Sequence, residues 1–216
     1  MAERAKRADP RPQPRIYLIT PPVEDAAAFA ATLSSALDTG DVAAALLRLA
    51  AADERSLINR IKTLAPVVQE KGAALIVDGR ADLVARSGAD GAHLTGIDAF
   101  NDAVETLKPD RIAGVGGLAS RHDAMLAADR GADYVMFGEP DAAGRRPAFA
   151  AIEERVAWWA EVFEIPCVGY ATSLDEVAAL VAAGADFVAL ADFVWREPRA
   201  QVAAAAARLI LPETTA

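Results

Sequence analysis

A chain of 216 residues is long enough for one sizeable hydrophobic core and leaves little room for a second domain. Its composition, 53% hydrophobic and 25% charged, is that of an ordinary globular protein, and no uninterrupted apolar run is long enough to cross a bilayer. The net charge of −9 disfavours nucleic acid and anionic membrane surfaces as partners, although a local basic pocket remains compatible with a phosphate.

The two ends and the single cysteine narrow the class of protein further. Residues 1–14 contain basic residues and prolines but no apolar signal segment, which predicts a disordered leader and a cytoplasmic protein. Residues 212–216 are predicted to be a short tail. Cys167 lies in an apolar run, as a buried small residue does, and no internal disulfide is possible. The oligomeric state stays open, a homo-oligomer included.

Short apolar segments alternate with helical segments along the whole chain. The first apolar run, 15–20, ends before two prolines, and a helix with Phe29, Leu33 and Leu37 on one face follows. The predicted strands are 15–20, 42–49, 73–77, one between Gly88 and Thr95, 112–115, 134–137, 167–169 and 187–190. The predicted helices are 23–37, 53–71, a short one ending at Gly88, 99–108, 120–131, 148–163, 173–183 and an Ala-rich helix to about Leu211.

A Gly-Ala-Asp sequence precedes three of these strands, about 40 to 50 residues apart, which indicates a repeated strand–helix unit. Its aspartates are Asp90, Asp133 and Asp186. They stand where strands begin, so we predict structural rather than catalytic roles for them.

Eight strands alternating with eight helices form either a closed barrel or an open doubly wound sheet. The regular alternation, and the absence of Gly-x-Gly-x-x-Gly after the first strand, favour an α/β fold of the (β/α)₈ TIM-barrel type, one domain over residues 15–211. Functional residues of such barrels follow the carboxyl ends of the strands. The candidates there are Thr20, Arg48, Asp78, Arg80, Thr95, Asp98, Gly116, Gly117, Glu139, Asp141, Arg145, Arg146, Thr172, Ser173 and Asp192.

Three segments resemble the thiamine phosphate synthase family. They are Ile-Tyr-Leu-Ile-Thr at 16–20, Ile-Val-Asp-Gly-Arg at 76–80 and Ala-Asp-Gly-Ala-His-Leu-Thr-Gly-Ile-Asp at 89–98. With two of the Gly-Ala-Asp units, the resemblance covers about residues 15–211. It implies a small barrel that joins a hydroxymethylpyrimidine diphosphate to a thiazole phosphate and releases pyrophosphate, with Mg²⁺ held by two acidic residues.

The resemblance implies roles for particular residues and a phosphorylated small molecule as partner. Arg48, Asp78 and Asp98 are the catalytic candidates, and Asp98 with Asp78 would hold Mg²⁺. Asp98 matches a family carboxylate, whereas Asp78 stands one residue before the second, whose position is occupied by Gly79. The candidates for binding substrate and phosphate are Arg80, Gly116, Gly117, Arg145, Arg146, Thr172 and Ser173.

The chain departs from the family where the diphosphate would be held. The second strand end keeps Arg48 but has Leu46 and Ala50 in place of an amide and an ammonium group, and Gly79 and Gly116 replace a carboxylate and a hydroxyl. Removing one such group can cost on the order of 10²- to 10³-fold in rate. We therefore predict that catalysis by the family mechanism is weak or absent.

Two functions remain open: a divergent thiamine phosphate synthase, and a non-catalytic binding or regulatory relative. A thiazole tautomerase is disfavoured because its histidine falls on Leu118. His93 is interpreted as a packed, hydrogen-bonded histidine, with an acid or base role as the alternative. Arg145 and Arg146 form either a solvated charge run or an anion clamp. Asp78 and Arg80 are two residues apart and are close enough in sequence to pair with each other.

Overall fold

The structure is a computed structural model that describes residues 12–141 and 144–210. Most of the predicted leader, and the whole predicted tail at 212–216, lie outside the described residues. None of the helices in the described ranges combines the length and apolar character needed to span a membrane.

Eight parallel strands pair in sequence order and close into a barrel, because β1 pairs with both β2 and β8. The strands are β1 (Arg15–Ile19), β2 (Val42–Leu47), β3 (Ala74–Asp78), β4 (Gly91–Thr95), β5 (Ile112–Gly116), β6 (Tyr134–Phe137), β7 (Cys167–Ala171) and β8 (Phe187–Leu190). The predicted TIM barrel is confirmed, and the alternative of an open doubly wound sheet is excluded.

Eight α-helices connect the strands and cover the outside of the barrel. They are α1 (Ala26–Leu37), α2 (Glu54–Gln69), α3 (Ala81–Ser87), α4 (Ile97–Leu107), α5 (Arg121–Asp129), α6 (Phe149–Val162), α7 (Leu174–Ala182) and α8 (Pro198–Ala206). The predicted start of the first helix at Val23 is wrong, because the Asp25 side chain accepts from the backbone N–H of Ala28 and caps the helix there. Ser120 caps α5, in a reciprocal capping box with Asp123.

The final segment differs from the single Ala-rich helix that the sequence predicts. A 3₁₀ helix, Asp192–Arg196, follows β8, and α8 begins separately at Pro198. Proline at the start of a helix has no N–H to leave unsatisfied. Trp195 Nε1 donates to the backbone oxygen of Ile19 at 2.7 Å and fixes the 3₁₀ helix to β1. This arrangement places Asp192 at the mouth of the barrel.

The three repeated aspartates fasten the opposite end of the barrel. Each precedes an even-numbered strand and accepts a hydrogen bond from a backbone N–H near the start of the preceding odd-numbered strand. The pairs are Asp90 with Leu75 at 2.7 Å, Asp133 with Ala113 at 2.7 Å and Asp186 with Cys167 at 2.8 Å. The predicted structural role of these aspartates is confirmed.

The hydrophobic core has two parts. The larger lies between the strands and the helices and includes Trp159 and Cys167, both fully buried. The smaller fills the barrel interior with alternate side chains of the strands, Leu46 and Tyr134 among them. Leu46 is therefore a packing residue of the barrel interior.

Candidate active site

Arg48 follows β2 and lies among carboxylates from other strand ends. Its backbone N–H donates to the buried hydroxyl of Thr20 at 3.0 Å. Its Nε lies 3.7 Å from Asp78 Oδ2, and its Nη1 lies 3.8 Å from Asp192 Oδ1. Burial, reinforced by the charge of Glu139, raises the pKa of Asp78, although His93 and Arg48 act in the opposite direction. The ends of β1, β2, β3 and β8 thus meet at one ionic cluster.

Four side chains form a polar chain through the interior: Tyr17, Tyr134, His93 and Glu139. The hydroxyls of Tyr17 and Tyr134 lie 2.7 Å apart, and Tyr134 OH lies 2.9 Å from His93 Nδ1. His93 Nε2 lies 3.1 Å from each carboxylate oxygen of Glu139. Burial raises the pKa of both tyrosines, so their hydroxyls stay protonated. This polar chain links the barrel interior to its mouth.

The position of His93 confirms that it is packed and hydrogen-bonded. Its side chain is 0% exposed, and that of Glu139 is 9% exposed. Burial alone would lower the pKa of His93, but the hydrogen-bonded carboxylate of Glu139, helped by Asp78, outweighs burial and raises it. The contacts therefore favour a protonated His93 paired with the Glu139 carboxylate. A histidine held in this way is also suited to act as an acid or base.

We expect NMR titration to give His93 a pKa above the ordinary 6.5, and a lower one in Glu139→Gln. A raised histidine pKa stabilises the folded state fully below pH 6.5, and the gain is lost as the pH rises through the folded-state pKa. The stability difference between the native protein and Glu139→Gln should therefore narrow at alkaline pH. A His122→Gln variant assigns the two histidine signals. A pKa unaffected by Glu139→Gln would contradict the pairing.

Gly116, at the end of β5, leaves the space that the Glu139 carboxylate occupies. A Cβ at this position would overlap Glu139 Oε2 and would lie 2.9 Å from His93 Nε2. Gly117 follows with φ of 59°, a left-handed conformation that favours glycine. The carboxylate of Glu139 therefore occupies the space that a side chain at position 116 would fill.

Arg146 forms a second cluster at the ends of β6 and β7. Its Nη1 and Nη2 donate to the Glu176 carboxylate at 2.8 and 3.0 Å, and its Nη2 and Nε donate to the backbone oxygens of Tyr170 and Gly138 at 2.6 and 2.9 Å. The Thr172 N–H donates to Glu176 Oε2 at 2.7 Å. Burial would raise the pKa of Glu176, but these donors lower it. The carboxylate of Glu176 thus accepts hydrogen bonds from Arg146 and Thr172, the residues predicted to bind phosphate.

The remaining predicted site residues lie around these clusters. Arg145 is exposed and pairs with Asp141 at 2.8 Å. Arg80 pairs with Asp82 at 2.7 Å, so the predicted pairing of Asp78 with Arg80 is not what forms. Ser173 caps α7 by accepting from the Glu176 N–H. Asp98 is exposed in the first turn of α4.

Two cavities open at this end of the barrel. One of about 380 Å³ lies between the loops that follow β5 and β6; its lining includes Leu118, Glu139, Arg145, Arg146 and Arg155. Another of about 860 Å³ lies beside the start of α7; its lining includes Thr172, Ser173, Asp192 and Arg196. Both volumes are in the range of small-molecule sites, roughly 300 to 1,000 Å³.

Metal ligands are sparse at this mouth. Over 12–141 and 144–210, no group of three or more His, Cys, Asp and Glu side chains is arranged to hold a metal ion. Mg²⁺ commonly uses only one or two carboxylates together with substrate phosphates. The exposed Asp98 fits that pattern, whereas Asp78 is partly neutralised by Arg48.

Comparison with known proteins decides the family. The family model of thiamine monophosphate synthase matches residues 16–194. The chain belongs to this family. Among its relatives, the thiamine-phosphate synthase of Rhodospirillum centenum is 44% identical over 89% of this chain and 94% of that protein. The one from Hyphomonas neptunium is 36% identical over 97% of this chain and 98% of that protein.

Solved structures agree on the fold. The thiamine phosphate pyrophosphorylase of Pyrococcus furiosus superposes with a TM-score of 0.73 at 24% identity, covering 92% of this chain and 96% of that one. Orotidine 5′-phosphate decarboxylase of Pyrococcus horikoshii superposes with a TM-score of 0.66 at 14% identity, covering 90% and 99%. At these identities the likeness establishes the barrel and nothing about the site.

The sequence identifies Glu139 as a candidate because it follows a strand, but it does not predict that Glu139 contacts His93. His93 and Glu139 belong to β4 and to the loop after β6, with β5 between them. Their contact depends on the absence of a side chain at Gly116. The sequence signal that could have revealed this contact is Gly116, a glycine at the end of β5, the strand that lies between the strand of His93 and the strand before Glu139.

Proposed function

We propose that this protein is a thiamine-phosphate synthase of low turnover, which joins a hydroxymethylpyrimidine diphosphate to a thiazole phosphate at the C-terminal mouth of the barrel. The observation that carries the proposal is the position of Arg48 between Asp78 and Asp192 at this mouth. Membership of the family supplies the reaction, and relatives named thiamine-phosphate synthase align over most of the chain.

The proposed roles follow from charge and position. Arg48 offers a cation where the diphosphate leaves, and Arg155, which donates to backbone oxygens at the 380 Å³ cavity, offers further positive charge. Mg²⁺, if bound with the substrate, would be held by Asp98 together with substrate phosphates and would neutralise charge on the departing pyrophosphate. Low turnover is expected because Ala50 has no charge to offer and Arg146 is engaged by Glu176.

A second candidate function, binding of a phosphorylated heterocycle without catalysis, is favoured by the ion pair between Arg146 and Glu176. This pair leaves the guanidinium with a carboxylate partner at 2.8 Å. A diphosphate would have to displace that carboxylate to use the same donors.

The test is a steady-state assay of the full chain with both substrates and Mg²⁺, following thiamine phosphate and pyrophosphate by chromatography. We expect both products, with kcat below about 1 s⁻¹, and a loss of about 10²-fold in kcat/KM for Arg48→Ala. Arg86→Ala, at an exposed residue of α3, is the control and should be unchanged.

The outcomes separate the two candidates. Absence of product, together with a rise in the unfolding midpoint on adding thiazole phosphate, would favour the binding function. Absence of both would contradict both candidates. An unimpaired Arg48→Ala variant would remove Arg48 from the site.

A further inference from the structure

We infer that Glu139, held by His93, is a specificity residue that recognises the amino group of an aminopyrimidine ring. The inference rests on the proposed function, since it concerns how the pyrimidine substrate is oriented in the same mouth. It assigns a role to a side chain that lies outside the family-like segments at 16–20, 76–80 and 89–98.

The first support is that the carboxylate is pre-positioned. His93 Nε2 contacts both of its oxygens at 3.1 Å, and His93 is itself fixed by Tyr134 OH at 2.9 Å. Gly116 leaves no Cβ to displace it. A group held in this way loses little conformational freedom when a ligand binds.

The second support is the polarity of the 380 Å³ cavity that Glu139 lines. Leu118, Met136 and Phe137 supply apolar surface. Of the lining arginines, Arg145 is paired with Asp141 and Arg146 with Glu176, which leaves Arg155 to supply positive charge. Arg155 donates to the backbone oxygens of Leu118 and Ala119, each at 3.2 Å, and these partners are neutral. A carboxylate, an apolar surface and a basic surface match an amino-substituted ring that carries a diphosphate.

The chemistry of recognition is direct. A carboxylate oxygen accepts a hydrogen bond from an exocyclic amino group, and such a charge-assisted bond is stronger than one between neutral groups. Glu139 is 9% exposed, so little water can replace a missing partner. An analogue with hydrogen in place of the amino group would leave the carboxylate with an unmet acceptor, which is the basis of strong discrimination.

The experiment compares the diphosphate of the 4-amino pyrimidine with its des-amino analogue, using the full chain. We expect the native protein to favour the amino substrate by at least about 10²-fold in kcat/KM. In Glu139→Ala the preference should fall to about 10-fold or less, with Glu139→Gln between the two. Glu161→Gln, at an exposed position of α6, should keep the native preference.

Glu139→Gln keeps a similar shape and guards against a folding defect in Glu139→Ala. Equal losses for both substrates in either folded variant would show that Glu139 does not read the amino group, and would overturn the inference. A native preference below about 10-fold would do the same.

A binding arm separates failure of this inference from failure of the proposed function. If the native protein makes no product, 4-aminopyrimidine and pyrimidine are titrated against it while the His93 NMR signal is followed. A shift with 4-aminopyrimidine alone, abolished by Glu139→Ala, would support the recognition even without catalysis. Equal shifts with both probes, or a shift with neither, would overturn it.

Discussion

Replacing Gly114 by alanine is expected to lower the free energy of unfolding by about 3 kcal/mol or more. Gly114 lies in the middle of β5, and an added Cβ would overlap the ring and hydroxyl of Tyr134. That ring is buried, and its hydroxyl contacts Tyr17 and His93. The ring cannot move without disturbing these contacts, so both packing and buried hydrogen bonds are lost.

Denaturant unfolding measures this effect, with Gly88→Ala as the control. An added Cβ at Gly88 meets no heavy atom within 4 Å, and its φ of 82° limits the cost to the strain of the left-handed conformation, about 1 to 2 kcal/mol. In a Tyr134→Ala background the Gly114→Ala cost should largely disappear. Equal costs at Gly114 and Gly88, or no rescue, would show that the ring is not the obstacle.

The two neighbouring arginines of the loop after β6, Arg145 and Arg146, are expected to contribute very differently to the free energy of unfolding. Arg146→Ala should destabilise the fold by about 2 to 4 kcal/mol, because it leaves the part-buried Glu176 without its cation. Arg145→Ala should change stability by no more than about 0.5 kcal/mol, since Arg145 is 81% exposed. Thermal or denaturant unfolding of the two variants gives the comparison, and similar losses in both would contradict it.

The pH dependence of the Arg146→Ala effect provides a second measurement. The pKa of Glu176 lies below its ordinary 4.5 in the folded protein, so its contribution to stability is complete above pH 4.5 and is lost as the pH falls through the folded-state value. The difference between the native protein and Arg146→Ala should therefore shrink in acid. A difference that stays constant down to the acid limit would assign the effect to packing rather than to charge.

The architecture follows from the sequence because each of its signals is local. Apolar runs stop at strand ends, Asp53 and Ser120 cap helices, and the Gly-Ala-Asp units recur in register with the strands. The last segment is less predictable. Its Ala-rich sequence suits a continuous helix, and the break at Pro198 depends on the distant contact of Trp195 with Ile19 as well as on the proline.

The candidate site is predictable in its location and not in its pairings. Strand-end position brings Arg48 and Asp78 together as expected. The pairing of Arg146 with Glu176 joins residues 30 apart in sequence and depends on side-chain reach between strand ends, so it is visible only in three dimensions. The sequence places Asp78 and Asp82 each two residues from Arg80, and the structure shows that Asp82 is the partner. The predicted roles of these residues in catalysis, metal binding and phosphate binding stay predictions.

The space shared by Gly116 and Glu139 couples these two positions. A Cβ at 116 would overlap the Glu139 carboxylate where it now lies, so the carboxylate would have to move and its contact with His93 would be disturbed. The cost of a side chain at 116 should therefore depend on which residue stands at 139, and the effects of substitutions at the two positions should not add.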